Sequence, residues 1–400
     1  MGGVQRATGL IRYLSELGWQ ISVLTVEPFE YPGTDESLLN RIPKGVQVYR
    51  TQPSEFRLLR RLLPSRRGNS CANATRNSQL SAWAMIPDSK VFAARRMVSR
   101  LASIVSDFRP SVVVTSSPPP SIHTVGAAAK KRHGIKWVAD FRDVWFSPSI
   151  VPYKTPVHKS IHNRLENSIV TFADRIVVVS EGHEQMLNNK YETVNKRLSL
   201  IPNGYDERDF ESEPDGIDED GAYRIGYCGT LNHLTHVPGL FEALVDVARQ
   251  RILRIDICGA LTDDTRRHLE KIDPSGEIIK LHGYLNHADA VKLIRSCNAN
   301  LVTLASNMHL ESTIPGKSYE ALRAGRPVIA VVPRGSSCWE LLAGFENVLL
   351  VDSSDVESSQ KDIEQFISHG DTPVKRSGIE LYSWENIAST YDELLTGALE

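Results

Sequence analysis

The chain has 400 residues, more than one ordinary hydrophobic core organises, so we predict two domains of roughly 200 residues each. Hydrophobic residues make up 41% of the chain and charged residues 24%, as expected of a globular protein. The formal net charge of -2 gives no electrostatic reason to expect a nucleic acid partner. No apolar run approaches the roughly 20 residues of a membrane-spanning helix, and the N-terminus lacks the pattern of a signal peptide. We therefore expect a cytoplasmic protein with reduced cysteines, because its five cysteines include no Cys-x-x-Cys pair.

The first half of the chain alternates short β-branched runs with helical stretches. Residues 112–114 and 176–179 contain only valine and isoleucine, which is typical of parallel strands that helices cover on both faces. The predicted strands are residues 20–26, 111–115, 136–140, 175–179 and 198–201, and the predicted helices include 121–133 and 157–172. This order predicts a doubly wound α/β domain over residues 1–206.

The N-terminus departs from that plan. Residues 2–6 (GGVQR) lead directly into a helical pattern, whereas a doubly wound domain normally opens with a strand. We therefore expect the opening strand to be missing ahead of Gly2, so that the first domain has one strand fewer than a complete sheet. Such a gap would expose the backbone donors and acceptors of the neighbouring strands.

An acidic stretch with few apolar residues interrupts the pattern at residues 207–221, which we interpret as an interdomain linker. A second series of strands is predicted at residues 223–228, 254–258, 278–281, 299–304, 327–332 and 348–351. They predict a second doubly wound domain over residues 222–381, followed by a C-terminal helix within residues 382–400. Two such domains in tandem favour a ligand cleft at the carboxyl ends of their strands.

Residues 313–329 (TIPGKSYEALRAGRPVI) carry the most informative functional pattern. A helix is predicted to open near Pro315 and to end at Gly325. A helix N-terminus offers unpaired N–H groups and the positive end of the helix dipole, which suit a diphosphate. Lys317 adds a cation, and the Glu320 carboxylate lies where it can accept both hydroxyls of a ribose. The alternative is an ordinary helix that a C-cap glycine ends before a strand.

The donor-binding candidates are therefore Pro315, Gly316, Lys317, Ser318 and Glu320, together with Gly229 and Thr230 at the end of the strand at 223–228. Gly2 and Gly3 are candidates for a glycine-rich phosphate or acceptor loop, since glycine lets a backbone approach a phosphate closely. The alternative for these two glycines is a flexible terminus.

Two other motif-like patterns are rejected, and a third motif is absent. Residues 316–318 (GKS) end like a phosphate-binding P-loop, but position 311 is glutamate where that motif requires glycine. Residues 218–220 (DED) match an Asp-x-Asp metal motif, but they lie in the acidic linker rather than after a strand. The sequence contains no Gly-x-Gly-x-x-Gly, which argues against a dehydrogenase. We therefore expect no metal site.

Polar residues also follow the strands of the first domain. Asp140, Arg142 and Asp143 place three charges at the end of a buried strand, where they are either paired for structural reasons or functional. His123 lies in the first turn of a helix that follows a proline-stiffened turn, and its alternative role is that of a partly buried core histidine. Asn203 begins an Asn-Gly turn after the last strand of this domain and is, like Gly2 and Gly3, a candidate for the acceptor or phosphate loop.

Taken together, these segments resemble the family 4 glycosyltransferases. The resemblance covers nearly the whole chain and rests on residues 2–6 (GGVQR), 137–145 (WVADFRDVW), 201–210 (IPNGYDERDF), 226–230 (GYCGT) and 313–329. It implies the GT-B fold, in which two Rossmann-like domains face a cleft and the C-terminal helix packs back on the N-terminal domain. It also implies that the second domain binds a UDP- or GDP-linked sugar and that the first binds a glycan or lipid-linked acceptor.

The resemblance further implies a retaining sugar transfer in polysaccharide biosynthesis, without a metal or another cofactor. In such an enzyme the helix dipole and Lys317 would stabilise the leaving diphosphate. His123, Asp140, Arg142 and Asp143 would lie on the catalytic side of the first domain.

The sequence departs from the family pattern at two positions. Position 312 is serine where the family usually has a glutamate eight residues before Glu320, and Glu311 is nine residues away. Arg142 stands where many relatives have a histidine. Two alternatives therefore remain open: a nucleotide-sugar 2-epimerase of the same fold, and a catalytically inactive nucleotide-sugar-binding protein.

One further stretch concerns the membrane. Residues 56–67 (FRLLRRLLPSRR) combine arginines with leucines in a short basic amphipathic pattern. The pattern is typical of a solvated loop with some buried leucines, or of peripheral docking to an anionic membrane that carries a lipid-linked acceptor. Under the second interpretation the protein would lie on the inner face of the membrane.

Overall fold

The computed structural model describes residues 2–27, 36–52, 85–145, 155–192, 194–211, 221–306, 310–368 and 373–400. The basic stretch at residues 56–67 and the acidic residues 212–220 lie outside the described residues. None of the described helices combines the length and apolar composition that crossing a bilayer requires.

The strands of the described residues are β1 (Ser22–Val26), β2 (Gln47–Thr51), β3 (Val112–Ser117), β4 (Lys136–Phe141), β5 (Arg175–Val178), β6 (Leu198–Leu200), β7 (Tyr223–Cys228), β8 (Leu253–Cys258), β9 (Ile279–Gly283), β10 (Ala299–Thr303), β11 (Val328–Val332) and β12 (Val348–Asp352). The α-helices are α1 (Gly2–Glu16), α2 (Val91–Phe108), α3 (His123–His133), α4 (Pro156–Phe172), α5 (Glu181–Lys190), α6 (Pro238–Ala248), α7 (Asp263–Ile272), α8 (His287–Ser296), α9 (Lys317–Arg323), α10 (Ser337–Ala343), α11 (Gln360–Ser368) and α12 (Trp384–Leu399).

The chain forms two compact units. The C-terminal unit consists of Met1–Gly9, Asp35–Leu39 and Asn203–Ile387, and the N-terminal unit of Leu10–Thr34, Asn40–Pro202 and Ala388–Glu400. Every predicted strand is present, with its ends shifted by two residues or fewer. The two Rossmann-like α/β units confirm the predicted fold class.

The C-terminal unit contains a six-stranded parallel sheet in the order β12-β11-β10-β7-β8-β9. The chain runs outward from β7 to β9, then returns to the other side of β7 and continues from β10 to β12. This is the strand order of a dinucleotide-binding fold, whose ligands bind where the strand order reverses. The reversal lies between β7 and β10, so the carboxyl end of β7 is where a ligand is expected.

Helices cover both faces of this sheet. Strands β10 and β11 are buried at every position. Ile225, Leu301 and Ile329 belong to the hydrophobic cluster of one face, while Val302 and Val328 belong to the cluster of the other. The absence of polar alternation in the sequence of these strands thus has its expected cause.

The described strands of the N-terminal unit form two parallel sheets. Strands β3, β4, β5 and β6 pair in chain order, and β1 pairs with β2. Trp137 and Ile176 are fully buried in the core of the four-stranded sheet. All five residues of β1 are half-buried. Strand β2 was not predicted because its sequence (QVYRT) has no uninterrupted apolar run and only Thr51 is buried.

The C-terminal part of α12 belongs to the N-terminal unit. There the Trp19 indole Nε1–H donates to Asp392 Oδ1 at 2.6 Å, and Arg175 Nη2 donates to the Gly397 carbonyl at 2.8 Å. Tyr391 and Leu395 are buried on the same helix. The predicted packing of the C-terminal helix on the N-terminal unit is confirmed.

Three local predictions need correction. Gly2 and Gly3 are part of α1 rather than of a loop. Helix α9 opens at Lys317, two residues later than Pro315. Residues 207–210, predicted as the start of the linker, form a 3-10 helix whose Phe210 is buried in the core of the C-terminal unit. Phe210 supplies the apolar anchor that the acidic composition of the stretch conceals.

Candidate functional site

Two glycines shape the backbone at the carboxyl end of β7. Gly229 follows β7 with φ +148°, Gly259 follows β8 with φ +131°, and the Gly229 N–H donates to the Cys258 carbonyl at 2.8 Å. A Cβ atom on Gly259 would lie 2.0 Å from the Gly229 oxygen. Only glycine therefore fits at position 259, and the Lys317 side chain packs against the side of Gly229 on which a Cβ atom would lie.

The Lys317 side chain reaches this strand end. Its Nζ lies 3.5 Å from the centroid of the Tyr227 ring and 3.4 Å from the point that a Cβ atom on Gly229 would occupy. The Nζ atom is buried and has no hydrogen-bond partner among the described residues. Because an ammonium group loses its hydration when it is buried, an anion bound here would restore what the protein does not provide.

The start of α9 offers fewer free backbone N–H groups than the sequence suggested. The Ser318 N–H donates to the Pro315 carbonyl at 2.9 Å and the Tyr319 N–H to the Gly316 carbonyl at 3.2 Å, so neither is directed at a ligand. The Ser318 side chain is fully buried, with its Oγ 3.8 Å from Cys338 Sγ. Ser318 is thus a core residue by its side chain, and Lys317 is the residue of this turn that faces the strand end.

Thr230 takes part in a turn at the end of β7. Its side chain is exposed, and its carbonyl accepts from the Tyr227 hydroxyl at 3.1 Å and from Thr235 Oγ1 at 2.7 Å. These bonds fix the Tyr227 ring on which the Lys317 ammonium lies. Thr230 therefore contributes its backbone to the arrangement of the site.

The Glu320 carboxylate lies one turn beyond Lys317 and is 14% exposed. Its Oε1 accepts a hydrogen bond from Gln5 Nε2 at 2.9 Å. Gln5 Nε2 also lies 2.9 Å from His287 Nδ1, and His287 Nε2 lies 2.8 Å from Asp209 Oδ2. Gln5, His287 and Asp209 were not among the predicted site residues, although Gln5 and Asp209 stood inside segments that carried the family resemblance.

Asn203 also lies in the C-terminal unit. Its Oδ1 is 3.4 Å from Nη1 of Arg6, a fully buried residue of α1. The next residue, Gly204, packs so closely against the chain that a Cβ atom would lie 2.0 Å from the Tyr382 oxygen. The Asn-Gly pair thus joins the start of α1 to the end of the C-terminal unit, and Asn203 contacts α1 rather than α9.

A second group of polar residues lies at the carboxyl edge of the four-stranded sheet in the N-terminal unit. Asp140 is fully buried at the end of β4, and its Oδ2 accepts from Ser116 Oγ at 2.6 Å. Two buried histidines, His123 and His183, lie within electrostatic reach of this carboxylate. Burial lowers the pKa of His123 to about 3 and that of His183 to about 4, and Asp140 opposes the shift in both.

His123 is enclosed by aromatic rings. Its ring centroid lies 4.4 Å from that of Phe141 and 6.3 Å from that of Trp145. Thr115 Oγ1 accepts from Trp137 Nε1 at 2.7 Å and lies 2.9 Å from His123 Nδ1. When the Thr115 hydroxyl donates a hydrogen bond to Nδ1, the imidazole proton of His123 is on Nε2. No described residue accepts a hydrogen bond from that nitrogen.

Arg142 and Asp143 have different environments. The Arg142 N–H donates to the Ser117 carbonyl at 3.0 Å and its Nη2 to the Pro118 carbonyl at 2.9 Å, so the side chain ties the end of β4 to the turn after β3. Asp143 has an exposed side chain. Of the two carboxylates at this strand end, Asp140 is therefore the more deeply buried, although desolvation also raises the pKa of the Asp143 carboxyl.

The structure thus brings together the predicted residues in two places. Gly229, Lys317 and Glu320 lie at the switch point of the C-terminal sheet, while His123 and Asp140 lie at the carboxyl edge of the N-terminal sheet. No group of three or more histidine, cysteine, aspartate or glutamate side chains that is able to hold a metal ion occurs in the described ranges. The four cysteines within those ranges are free thiols.

Models of known families match both parts of the chain. The model described as "Glycosyl transferase 4-like domain" matches residues 1–204, and the one described as "Glycosyl transferases group 1" matches residues 222–369. The chain belongs to the family 4-type glycosyltransferases. The suspected family is thereby confirmed, and the two groups of polar residues lie one in each matched part.

The curated relative that matches this chain is distant. The probable glycosyltransferase WbjE of Pseudomonas aeruginosa is 26% identical over 215 residues, which are 51% of this chain and 52% of the relative. The chain thus spans about half the length of that curated relative.

Two solved structures show the same fold. Sucrose-phosphate synthase from Thermosynechococcus elongatus is similar with a TM-score of 0.68 and 16% identity, over 97% of this chain and 91% of that one. HepE from Anabaena, solved in complex with UDP, is similar with a TM-score of 0.57 and 14% identity, over 94% of this chain and 100% of that one. At these identities the likeness establishes the two-domain GT-B fold of this chain and no more.

Proposed function

We propose that this protein is a retaining glycosyltransferase that moves a sugar from a UDP- or GDP-linked donor to a glycan or lipid-linked acceptor in polysaccharide biosynthesis. The observation that carries the proposal is the Lys317 ammonium, which is buried without a hydrogen-bond partner among the described residues at the switch point of a nucleotide-binding sheet. A diphosphate is the anion that this position suits, because nucleotides bind such sheets at the switch point, where the Lys317 ammonium lies. Bound UDP in the similar HepE structure supports this choice.

The chemistry assigned to the site is heterolysis of the bond between the anomeric carbon and the diphosphate. The acceptor hydroxyl oxygen forms the new bond to the anomeric carbon on the same face, and its proton passes to the departing diphosphate. Lys317 stabilises the negative charge that develops on the diphosphate, and Glu320 accepts hydrogen bonds from the ribose. The chain needs no metal for these steps, since a fixed cation already faces the leaving group.

In the N-terminal unit we assign the catalytic side to Asp140, His123, Arg142 and Asp143. His123 is neutral at pH 7, because burial lowers its pKa to about 3, so its assigned role is hydrogen-bond donation through Nε2 rather than acid catalysis. A lipid-linked acceptor would be met at a membrane surface, and residues 56–67 are the stretch that we assign to that contact.

A two-stage experiment tests the proposal. First, melting temperatures are recorded with UDP, GDP and other nucleoside diphosphates, since a ligand that binds the folded state raises the melting temperature. Second, the sugar nucleotides of the binding base are incubated with lipid-linked or glycan acceptors in the presence of EDTA. Acceptor-dependent transfer with retained anomeric configuration is the expected result.

Each alternative has its own outcome in the same experiment. Release or isomerisation of the sugar without an acceptor would select the 2-epimerase. Binding of a sugar nucleotide without turnover would select an inactive binding protein. Failure of every nucleoside diphosphate to bind would overturn the proposal, as would activity that EDTA abolishes and manganese or magnesium restores.

A further inference from the structure

Four polar side chains from distant parts of the sequence form a chain of hydrogen bonds beside Lys317. Gln5 comes from α1, Asp209 from the 3-10 helix at residues 207–210, His287 from the first turn of α8 and Glu320 from α9. Gln5 and His287 are separated by 282 residues, and His287 and Asp209 by 78. The His287 side chain is 8% exposed and that of Asp209 12% exposed, so these bonds are largely shielded from water.

In this series of hydrogen bonds, the donor at one position determines the donor at the next. Gln5 Nε2 carries two hydrogens, and its two partners, Glu320 Oε1 and His287 Nδ1, both lie 2.9 Å away. His287 Nδ1 must then accept, which places the imidazole proton on Nε2. That nitrogen lies 2.8 Å from Asp209 Oδ2. An ionised carboxylate oxygen accepts hydrogen bonds and cannot donate them, so the Nε2–H donates to Asp209. Asp209 therefore selects the His287 tautomer that orients the Gln5 amide towards Glu320.

Asp209 is itself fixed in place. The 3-10 helix that carries it is anchored by buried Phe210 and by a bidentate ion pair between Glu207 and Arg323 of α9. The Arg323 guanidinium lowers the pKa of the Glu207 carboxyl through these hydrogen bonds. The same helix α9 that presents Glu320 thus also holds the segment that presents Asp209.

We propose that His287 is a positioning residue for recognition of the donor ribose. It acts through Gln5, whose amide holds one carboxylate oxygen of Glu320 and so orients that carboxylate towards the ribose hydroxyls. A carboxylate oxygen has more than one lone-pair direction, so the bond from Gln5 leaves Glu320 able to accept from a ligand. The assignment rests on the proposed function of Glu320 and adds three residues to it.

Ribose discrimination is the measurement that separates positioning from a general structural role. The full-length protein is titrated with whichever of UDP and GDP binds more tightly, and with the 2′-deoxy analogue of the same nucleotide. The wild-type protein is expected to prefer the ribonucleotide by about tenfold, the scale of one hydrogen bond to a charged group. His287→Leu and Gln5→Met are each expected to bring this ratio close to one.

Three further variants sharpen the assignment. His287→Asn keeps an acceptor near the position of Nδ1 and is expected to recover part of the preference. The amide of Asp209→Asn can donate to His287 Nε2, which favours the tautomer with the proton on Nδ1. The preference of this variant for the ribonucleotide should therefore fall. The double variant Gln5→Met with His287→Leu should lose no more than either single variant, because both break the same chain of bonds.

His268→Leu is the matched control. His268 also pairs with a carboxylate, since its Nε2 lies 2.9 Å from Glu242 Oε1, but it is outside the Glu320 network. This variant should keep the wild-type ratio. A His287→Leu protein that is folded and still prefers the ribonucleotide as strongly as wild type would overturn the positioning role alone. A wild-type protein that binds neither nucleotide would instead overturn the proposed function.

Discussion

The Lys317 Nζ atom lies 3.5 Å from the centroid of the Tyr227 ring. An aromatic face attracts a cation but offers it no hydrogen-bond acceptor. The ring therefore holds the ammonium in place at the end of β7 while all three of its N–H groups lack a hydrogen-bond partner within the described part of the chain. Such a cation is ready for an anionic ligand without needing to leave an existing ion pair first.

Replacing Lys317 by methionine should abolish most of this attraction. Lys317→Met is expected to weaken binding of the nucleoside diphosphate by about 2–3 kcal/mol, the contribution of hydrogen bonds to a charged group. Isothermal titration calorimetry measures the change. Lys271→Met, which alters an exposed lysine of α7, is the control and should bind as wild type. Equal affinity in wild type and Lys317→Met would remove the diphosphate from this position.

Glu320 is expected to contribute to donor binding through the ribose. Glu320→Ala should weaken binding of the sugar nucleotide by about 1–3 kcal/mol, since it removes charge-assisted hydrogen bonds. Calorimetry on the folded variant tests this, with Glu340→Ala as a control at an exposed position of α10. Unchanged affinity in Glu320→Ala would show that the carboxylate does not contact the ribose.

The buried histidines should make the N-terminal unit sensitive to acid. Burial lowers the folded-state pKa of His123 to about 3, below its ordinary value of 6.5, so the unfolded chain takes up a proton at a higher pH than the folded chain does. The free energy of unfolding must therefore fall as the pH drops below about 6.5, by about 2 kcal/mol at pH 5 for this residue. Urea unfolding at several pH values measures the slope.

The variant His123→Phe tests the assignment of that slope. Phenylalanine fills the aromatic surroundings but binds no proton, so the variant should lose less stability between pH 6.5 and pH 5 than wild type does. His183→Gln should reduce the remaining dependence, because burial lowers the pKa of His183 to about 4. A His123→Phe protein with the acid sensitivity of wild type would locate the titrating groups elsewhere.

Gly126 is predicted to be irreplaceable in α3. A Cβ atom at this position would lie 2.0 Å from Trp137 Nε1, which donates to Thr115 and thereby supports His123. Gly126→Ala is expected to destabilise the protein by about 2–3 kcal/mol through overpacking. Gly397→Ala is the control, since a Cβ there meets nothing within 4 Å and alanine favours the helix. Thermal unfolding that ranks the two variants equally would contradict the close contact.

Much of the fold follows from the sequence because parallel strands that are buried on both faces carry uninterrupted apolar runs. The run at β11 (Val328–Val332) is of this kind and was predicted to within one residue. Strand β2 was missed since its two apolar residues, Val48 and Tyr49, are too few to form such a run. The buried Phe210 was assigned to a linker because the acidic residues around it dominate the local composition.

The candidate site was predicted in part. Lys317 and Glu320 could be found because they lie within one short helix, where spacing along the chain determines spacing in space. Ser318 was placed in the site because the helix was expected to open at Pro315, and each residue of shift rotates a helical side chain by about 100°. His287 carries no local signal, and although Asp209 stands in the motif at residues 201–210, only the tertiary fold brings the two residues to Gln5.

The Lys317 ammonium, which has no hydrogen-bond partner among the described residues, places stability and nucleotide binding in opposition. A site that is complete only with its ligand must be less favourable without it, and a random search for thermostable variants should therefore select apolar replacements at position 317. Such variants would survive heat and lose the nucleotide. The lysine at this position would then reflect a requirement for binding rather than for folding, and the occupancy of the site by its ligand would govern how long the protein persists in the cell.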